Sequence, residues 1–273
     1  PPLMTAEQPR LRPLSQLLLA TVLLACAALQ GCGSSPSREG PRTAMDQTDA
    51  DRRAQVRLEL ASGYFARGQY ETALDEVKLA LIAKPGLAEA INLRSLIYAA
   101  MGEQGMAEEG FRRSLAQAPK DADTAHNYGW FLCQQRRYAE AYAQFDLALA
   151  QPQYRAPART LMAYGVCQAR EGKLVPAQQH LSKAFEFDPG NPVVAINLGE
   201  VLYRLGEYER ARFYTRRVNN NTEQANASSL WLELRIERRM GNAANVEDLS
   251  QQLRKRFPQA KETAALDRGA FDE

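Results

Sequence analysis

Small and large apolar residues recur along most of this chain with a period of 34 residues. In four copies a small residue is followed after seven residues by a glycine and after five more by a second small residue, and in three of these four a proline follows after twelve more. The pattern predicts a pair of helices per copy. The small residues allow the two helices to cross closely, the glycine forms the turn between them, and the proline ends the second helix. The copies are marked by Ala61/Gly68/Ala73/Pro85, Ser95/Gly102/Ala107/Pro119, Gly165/Gly172/Ala177/Pro189 and Gly199/Gly206/Ala211.

Large apolar residues stand at fixed places between these small ones. We expect them to fill the core within each hairpin and between neighbouring hairpins. They are Leu60, Tyr64, Tyr98, Phe111, Tyr128, Phe145, Tyr164, Leu181, Leu198 and Tyr208.

The pattern resembles the tetratricopeptide repeat, a helix-turn-helix unit that stacks into a right-handed superhelix. The third copy has Arg136 in place of the turn glycine and two extra residues near Tyr154, and the sixth has Leu234 and Val246 at the small positions. We therefore expect an all-α, right-handed superhelical solenoid of about six repeats over residues 54–260, followed by a C-terminal tail at 261–273. The repeats are 54–87, 88–121, 122–157, 158–191, 192–226 and 227–260.

The first 31 residues have the pattern of an export signal. Arg10 and Arg12 precede an apolar run from Leu17 to Leu29, which is short for a membrane-spanning helix but of the right size for a secretory signal. The residues that follow, 33–41, are small, polar and proline-containing, as in a flexible tether. We predict a signal peptide at 1–31 and a tether at 32–53.

The end of this run resembles the lipobox of bacterial lipoproteins. Leu29 stands three positions before Cys32, and Gly31 stands directly before it. The resemblance implies that Cys32 carries covalent lipid, and glycine at position 33 favours sorting to the outer membrane with the chain facing the periplasm. Several acyl chains together give stable anchoring. Cys26 is the alternative lipid acceptor.

Two cysteines then remain for an oxidising compartment, Cys133 and Cys167. Both fall on first helices of adjacent repeats, but at the twelfth and tenth places. Two buried free thiols are the commoner outcome for such residues, and a disulfide is the alternative.

Composition and motifs point away from catalysis and nucleic-acid binding. The formal net charge is only +2, so a strong nucleic-acid footprint is not expected. The two histidines, His126 and His180, have no partners at metal-ligand spacing, and neither a phosphate-binding loop nor a nucleophile elbow is present in the sequence. We expect no enzyme activity, no metal, no small-molecule substrate and no cofactor beyond the lipid on Cys32.

Function is therefore expected on the concave surface, which this fold lines with its first helices. Apolar and aromatic residues are frequent at those places, as is typical of a partner-binding groove. The guest would be an extended or helical apolar segment. The alternative is that a terminal helix folds in and buries part of the groove. The predicted residues are Leu58, Phe65, Leu96, His126, Trp130, Met162, Val166, Ile196 and Tyr203, followed by Trp231 and Arg235 in the sixth repeat.

Residues 126–142 resemble the third repeat of the type IV pilus biogenesis and stability lipoproteins, the PilF/PilW family. The whole layout is similar to that family: lipobox, polar tether, six repeats and a short tail after Pro258. The resemblance implies a pilotin, which binds the secretin subunit of the type IV pilus through its early repeats and promotes its outer-membrane localisation and multimerisation. The alternative is an adaptor lipoprotein that docks cell-wall hydrolases or other envelope enzymes.

Overall fold

The computed structural model describes residues 48–271, and this part of the chain forms thirteen helices and no strand. The predicted signal segment, Cys26, Cys32 and most of the tether lie outside the described residues. The helices are α1 Asp49–Ala66, α2 Tyr70–Ala83, α3 Ala88–Met101, α4 Gln104–Gln117, α5 Ala122–Gln134, α6 Tyr138–Leu149, α7 Pro157–Glu171, α8 Leu174–Phe187, α9 Pro192–Arg204, α10 Tyr208–Asn219, α11 Ala227–Arg239, α12 Ala243–Arg256 and α13 Lys261–Arg268.

Helices α1 to α12 form six consecutive hairpins, and each hairpin stacks on the next. The first helix of every hairpin contacts the first helix of the following one, whereas second helices do not contact one another within residues 48–271. The first helices therefore form the tighter, inner layer of a tetratricopeptide-like solenoid, as the repeat pattern predicts. We call α1, α3, α5, α7, α9 and α11 the inner helices.

The small residues have the predicted role at the helix crossings. A Cβ atom added to Gly165 would lie 2.6 Å from Leu181 Cγ and 3.0 Å from the Ala177 carbonyl oxygen. No larger residue fits there without moving α8 away from α7. The fixed 34-residue spacing thus reflects a fixed distance between paired helices.

Aromatic rings fill the space between hairpins. Phe111 of the second repeat packs 5.5 Å from Tyr128 of the third, and Phe145 packs 5.4 Å from Tyr164 of the fourth. Leu60 differs from the prediction, because it is 42% exposed. Its repeat equivalent Tyr128 is buried against the preceding hairpin, and among the described residues α1 has no preceding hairpin.

The third repeat makes its turn without glycine. Arg136 has φ = 60°, in the left-handed region that the glycines adopt in the equivalent turns, such as Gly102 and Gly172. An L-residue is disfavoured there because its Cβ approaches the carbonyl oxygen.

The structure adds detail at both ends of the repeat array. Helix α1 begins at Asp49, five residues before the predicted start at 54. The predicted tail contains α13, which packs against α11 and α12 and buries Leu266. Of the helices in residues 48–271, none has the length and apolar content needed to cross a bilayer.

Candidate partner-binding surface

Eight of the nine predicted groove residues form a row along the inner helices, each half-buried. Half-burial means that these side chains pack against the core with one side and keep the other side accessible. Trp130 and Leu96 in particular are not sealed inside the protein. We call this row the groove row; its members are Leu58 and Phe65 on α1, Leu96 on α3, Trp130 on α5, Met162 and Val166 on α7, and Ile196 and Tyr203 on α9.

Arginine side chains lie over two of the three aromatic members of this row, Trp130 and Tyr203. The Arg170 guanidinium carbon lies 4.9 Å from the Trp130 ring centroid, and that of Arg235 lies 4.8 Å from the Tyr203 centroid. Arg235 also donates a 2.8 Å hydrogen bond to Glu200. A cation over an aromatic face is attracted by the ring quadrupole. The groove row is therefore made of apolar side chains, with a cationic group above two of its aromatic rings.

His126 is the exception, and its assignment to the groove is wrong. Its side chain is only 6% exposed, and its Nδ1 atom forms a 2.9 Å hydrogen bond with the Thr160 hydroxyl, which also bonds Tyr154. Burial, and secondarily the charge of Arg159, lowers the pKa of His126 to about 3. The imidazole is therefore a neutral structural group between α5 and α7.

Trp231 is also buried, at 7% exposure, because Phe271 stacks on it at 5.5 Å. Arg238 in turn lies over Phe271, with its guanidinium carbon 3.9 Å from the centroid of the Phe271 ring. A cavity of about 550 Å³ remains between α9, α11 and α13. The terminal helix thus covers the surface at the sixth repeat and leaves the groove row of the first five accessible.

A polar row beside the groove row escaped the sequence analysis. Arg159 donates a 2.6 Å hydrogen bond to Asn127 Oδ1, and Asn127 Nδ2 donates a 3.3 Å bond to Asn92 Oδ1. Each residue precedes a groove residue by one helical turn, but the three stand at different places of their repeats, so the repeat spacing alone does not identify them.

A disulfide links two neighbouring inner helices in the middle of the repeat array. The sulfurs of Cys133 and Cys167 are bonded, with the Cα atoms 5.9 Å apart and both residues buried. Of the two alternatives for these cysteines, the structure contains the disulfide and not two free thiols. The bond links α5, which carries Trp130, to α7, which carries Val166, and so fixes the spacing of two groove helices.

The first repeat exposes further apolar residues that the sequence analysis did not select. Val56 is 55% exposed, although its repeat equivalents Ala90, Thr124 and Val194 are at most 1% exposed. On α2, Ile82 is 76% exposed. The early repeats therefore offer more accessible apolar surface than the groove row alone.

Residues 48–271 contain no candidate metal site. No cluster of three His, Cys, Asp or Glu residues there could hold a metal ion. His180 stacks on Tyr164 at 4.1 Å and bonds Gln168, so it too has structural contacts. The arrangement offers packing surface and hydrogen-bonding groups.

Stacked helical hairpins with an accessible inner layer form a solenoid like that of tetratricopeptide-repeat proteins, a class of protein-interaction folds. A family model described as tetratricopeptide repeat matches residues 168–230. The chain is homologous to PilF and PilW. It is 29% identical to the type IV pilus assembly protein PilF of Pseudomonas aeruginosa over 239 residues, covering 88% of this chain and 93% of PilF.

Two solved structures agree with that relationship. The crystal structure of PilW, described as a widely conserved type IV pilus biogenesis factor, has a TM-score of 0.72 and 29% identity, covering 78% of this chain and 97% of PilW. The structure of P. aeruginosa PilF has a TM-score of 0.71 and 26% identity, covering 81% of this chain and 100% of that one. The expected family resemblance is confirmed, and with it homology to type IV pilus biogenesis proteins.

Proposed function

We propose that this protein is an outer-membrane pilotin, which binds secretin subunits of the type IV pilus and promotes their localisation and multimerisation. The observation that carries the proposal is the groove row, a set of accessible apolar and aromatic side chains on five successive inner helices. Homology to PilF and PilW supports the connection to the pilus system. An apolar segment of an unassembled secretin subunit is the guest that such a surface suits.

Binding would depend on a few large side chains. Aromatic and aliphatic anchors near the centre of an interface usually supply most of its binding energy. Trp130 and Leu96 lie at the centre of the groove row, and Phe65 lies in the first repeat, which also exposes apolar residues of α1 and α2. The accessible apolar surface of the early repeats supports the proposal that the partner binds there.

The test is the double change Leu96→Glu and Trp130→Glu, followed by detection of heat-resistant secretin multimers in cells. We expect normal helical content by circular dichroism and loss of multimers, because charges in the groove would oppose burial of an apolar guest. Phe213→Glu is the matched control, since Phe213 is 60% exposed on α10, outside the inner layer. Normal multimers in the double variant would refute the assignment of the groove.

Membrane attachment through Cys32 is the second part of the proposal. Cys32→Ala should release the protein from the outer-membrane fraction and reduce secretin assembly, whereas Cys26→Ala should leave both unchanged. Retention of the Cys32→Ala protein in the membrane fraction would argue against lipid on that residue.

The alternative function, an adaptor that docks cell-wall hydrolases or other envelope enzymes, would use the same surface and the same lipid. Recovery of a cell-wall hydrolase from envelope extract, in place of secretin, would favour this alternative.

A further inference from the structure

The aromatic ring of Phe271 covers the inner surface of the sixth repeat. It stacks on the Trp231 ring with 5.5 Å between the centroids and 17° between the planes. The guanidinium carbon of Arg238 lies 3.9 Å from the Phe271 centroid. Indole rings and guanidinium groups both attract an aromatic face. Trp231 and Arg238 therefore form a place that suits an aromatic side chain, and the chain's own phenylalanine occupies it.

Trp231 stands at the repeat place of two groove residues. It is the fifth residue of the sixth repeat, as Met162 is of the fourth and Ile196 of the fifth. Those two side chains are half-buried and accessible, whereas Trp231 is only 7% exposed beneath Phe271. Without the Phe271 ring, the groove row would therefore continue onto α11.

A cavity connects Trp231 with the groove row. Its volume is about 550 Å³, and its apolar lining comes from Ile196 of the row, from Trp231 and Leu232 of α11, and from Ala265 of α13. The remaining lining residues are polar or charged. The space between α9, α11 and α13 is thus only partly filled by the protein itself. A guest that packs on Ile196 can reach Trp231 along this cavity.

The attachment of Phe271 differs from that of the helix before it. Helix α13 is fixed by the buried side chain of Leu266 and by a 2.6 Å hydrogen bond that the Ser228 hydroxyl donates to Glu262. Phe271 follows Gly269, which ends α13 with φ = 69°, and its side chain is only half-buried. Glycine adopts a wide range of backbone conformations. Rotation at Gly269 would move Phe271 off α11 while α13 stays in place.

We propose that Phe271 is an intramolecular competitor for the sixth-repeat part of the groove, and that an aromatic side chain of the partner replaces it on Trp231. The indole and the guanidinium group hold an aromatic ring in the free protein, so the same two groups suit an aromatic residue of the guest. The apparent dissociation constant of the partner equals the intrinsic constant divided by the fraction of open molecules. The inference rests on the proposed function, because it takes the secretin subunit as the partner.

The first test needs no partner. In a Trp130→Phe background of the full-length protein in detergent, Trp231 is the only tryptophan, and acrylamide quenching reports its cover. We expect a low quenching constant with Phe271 or Phe271→Tyr, a higher one with Phe271→Leu and the highest with Phe271→Ala. Equal constants for Phe271 and Phe271→Leu would overturn selection for an aromatic ring, and an unchanged constant in Phe271→Ala would overturn the cover itself.

The second test measures secretin binding. Phe271→Ala should lower the apparent dissociation constant about tenfold, as expected if about nine tenths of the molecules are closed. Trp231→Leu in addition should remove this gain, because the site beneath the cover is then lost. The matched control is Phe213→Ala, which removes an exposed phenylalanine from α10 and should leave the constant unchanged. Thermal unfolding should report a folded protein in each case.

The partner side of the proposal is tested with peptides that tile the type IV pilus secretin encoded in the same genome. In the Trp130→Phe background with Phe271→Ala, the best-binding peptide should protect Trp231 from acrylamide. Replacement of the aromatic residues of that peptide by leucine should remove the protection. Full protection by the leucine peptide, or binding of secretin without protection of Trp231, would overturn the proposed exchange of aromatic rings.

The inference and the proposed function fail in different ways. Equal secretin affinity of wild type and Phe271→Ala would overturn the competitor role, and the groove function would stand if Leu96→Glu with Trp130→Glu still abolished secretin capture. Unchanged secretin capture by that double variant would instead refute the function, and the competitor role with it.

Discussion

The guanidinium group of Arg170 lies over the ring of Trp130, with 4.9 Å between its carbon and the ring centroid. Arg170 itself is exposed, so the cover over the ring is a flexible side chain at the protein surface. Such a contact contributes only about 0.5–1 kcal/mol at an exposed site, less than burial of an aromatic side chain in an interface provides. A guest can therefore displace Arg170 and pack on the ring.

The two tryptophans should differ in accessibility. In a Trp231→Phe variant only Trp130 emits, and we expect strong quenching of its fluorescence by acrylamide, because it is half-buried at the surface of the groove. In Trp130→Phe the remaining Trp231 is 7% exposed beneath Phe271 and should be quenched weakly. Stern–Volmer constants measure the difference. Equal constants would mean that Trp130 is enclosed.

Adding Arg170→Ala to the Trp231→Phe variant should raise the Trp130 quenching constant further. Lys183→Ala removes a positive charge from a second helix, α8, and should leave the constant unchanged. A similar value for all three proteins would contradict the stacking of Arg170 on the ring.

Loss of the disulfide should destabilise the repeat array. The bond between Cys133 and Cys167 closes a loop with a sequence separation of 34 residues. For a loop of this length the entropic effect on the unfolded chain is about 3–4 kcal/mol. We expect denaturant unfolding of Cys133→Ala with Cys167→Ala to show a loss of that order, and dithiothreitol to destabilise only the wild type. Identical midpoints for wild type with and without reductant would show that the thiols are not paired.

Arg136→Gly should stabilise the third repeat. Arg136 has φ = 60°, and glycine adopts this conformation without the strain of a Cβ atom. We expect a gain of about 0.5–1 kcal/mol in the free energy of unfolding, because the relief of strain exceeds the greater entropy that glycine gives the unfolded chain. The reverse change at the equivalent turn, Gly172→Arg, should destabilise the fold.

Stability should fall on acidification through the usual titration range of histidine. Burial lowers the pKa of His126 to about 3, whereas the unfolded chain has the ordinary value of 6.5. The unfolded state therefore binds more protons between these values, so the contribution of His126 is complete above pH 6.5 and is lost as the pH falls toward 3. Between pH 7 and pH 5 the loss is up to about 2 kcal/mol. Urea unfolding of wild type and His126→Asn at both pH values measures it, and an equal pH dependence in the two proteins would contradict the neutral buried state.

The repeat architecture could be predicted from the sequence because each of its signals is local. The small residue Gly165 is required by the crossing of α7 and α8 alone, and a small residue stands at the equivalent place in each of the first five hairpins. The surface was harder to predict, because exposure depends on residues distant in the chain. Trp231 was expected in the groove, but Phe271, forty residues later, covers it.

His126 shows the same difficulty within one repeat. It occupies the repeat position of Met162 and Ile196, which are accessible, yet its ring bonds Thr160 of the next repeat, whose hydroxyl also bonds Tyr154 in the lengthened junction. No pattern in a single repeat indicates this contact. The disulfide was uncertain for a related reason: an offset of two places in the repeat leaves the Cα atoms 5.9 Å apart, close enough for a bond.

Secretin capture by the purified full-length lipoprotein tests the central proposal most directly. Tagged wild type, Leu96→Glu with Trp130→Glu, and the control Phe213→Glu would be mixed with envelope extract, and the secretin recovered with each would be quantified. We predict equal recovery with wild type and Phe213→Glu, and recovery at background level with the groove variant. Equal recovery with all three proteins would contradict partner binding through the groove row.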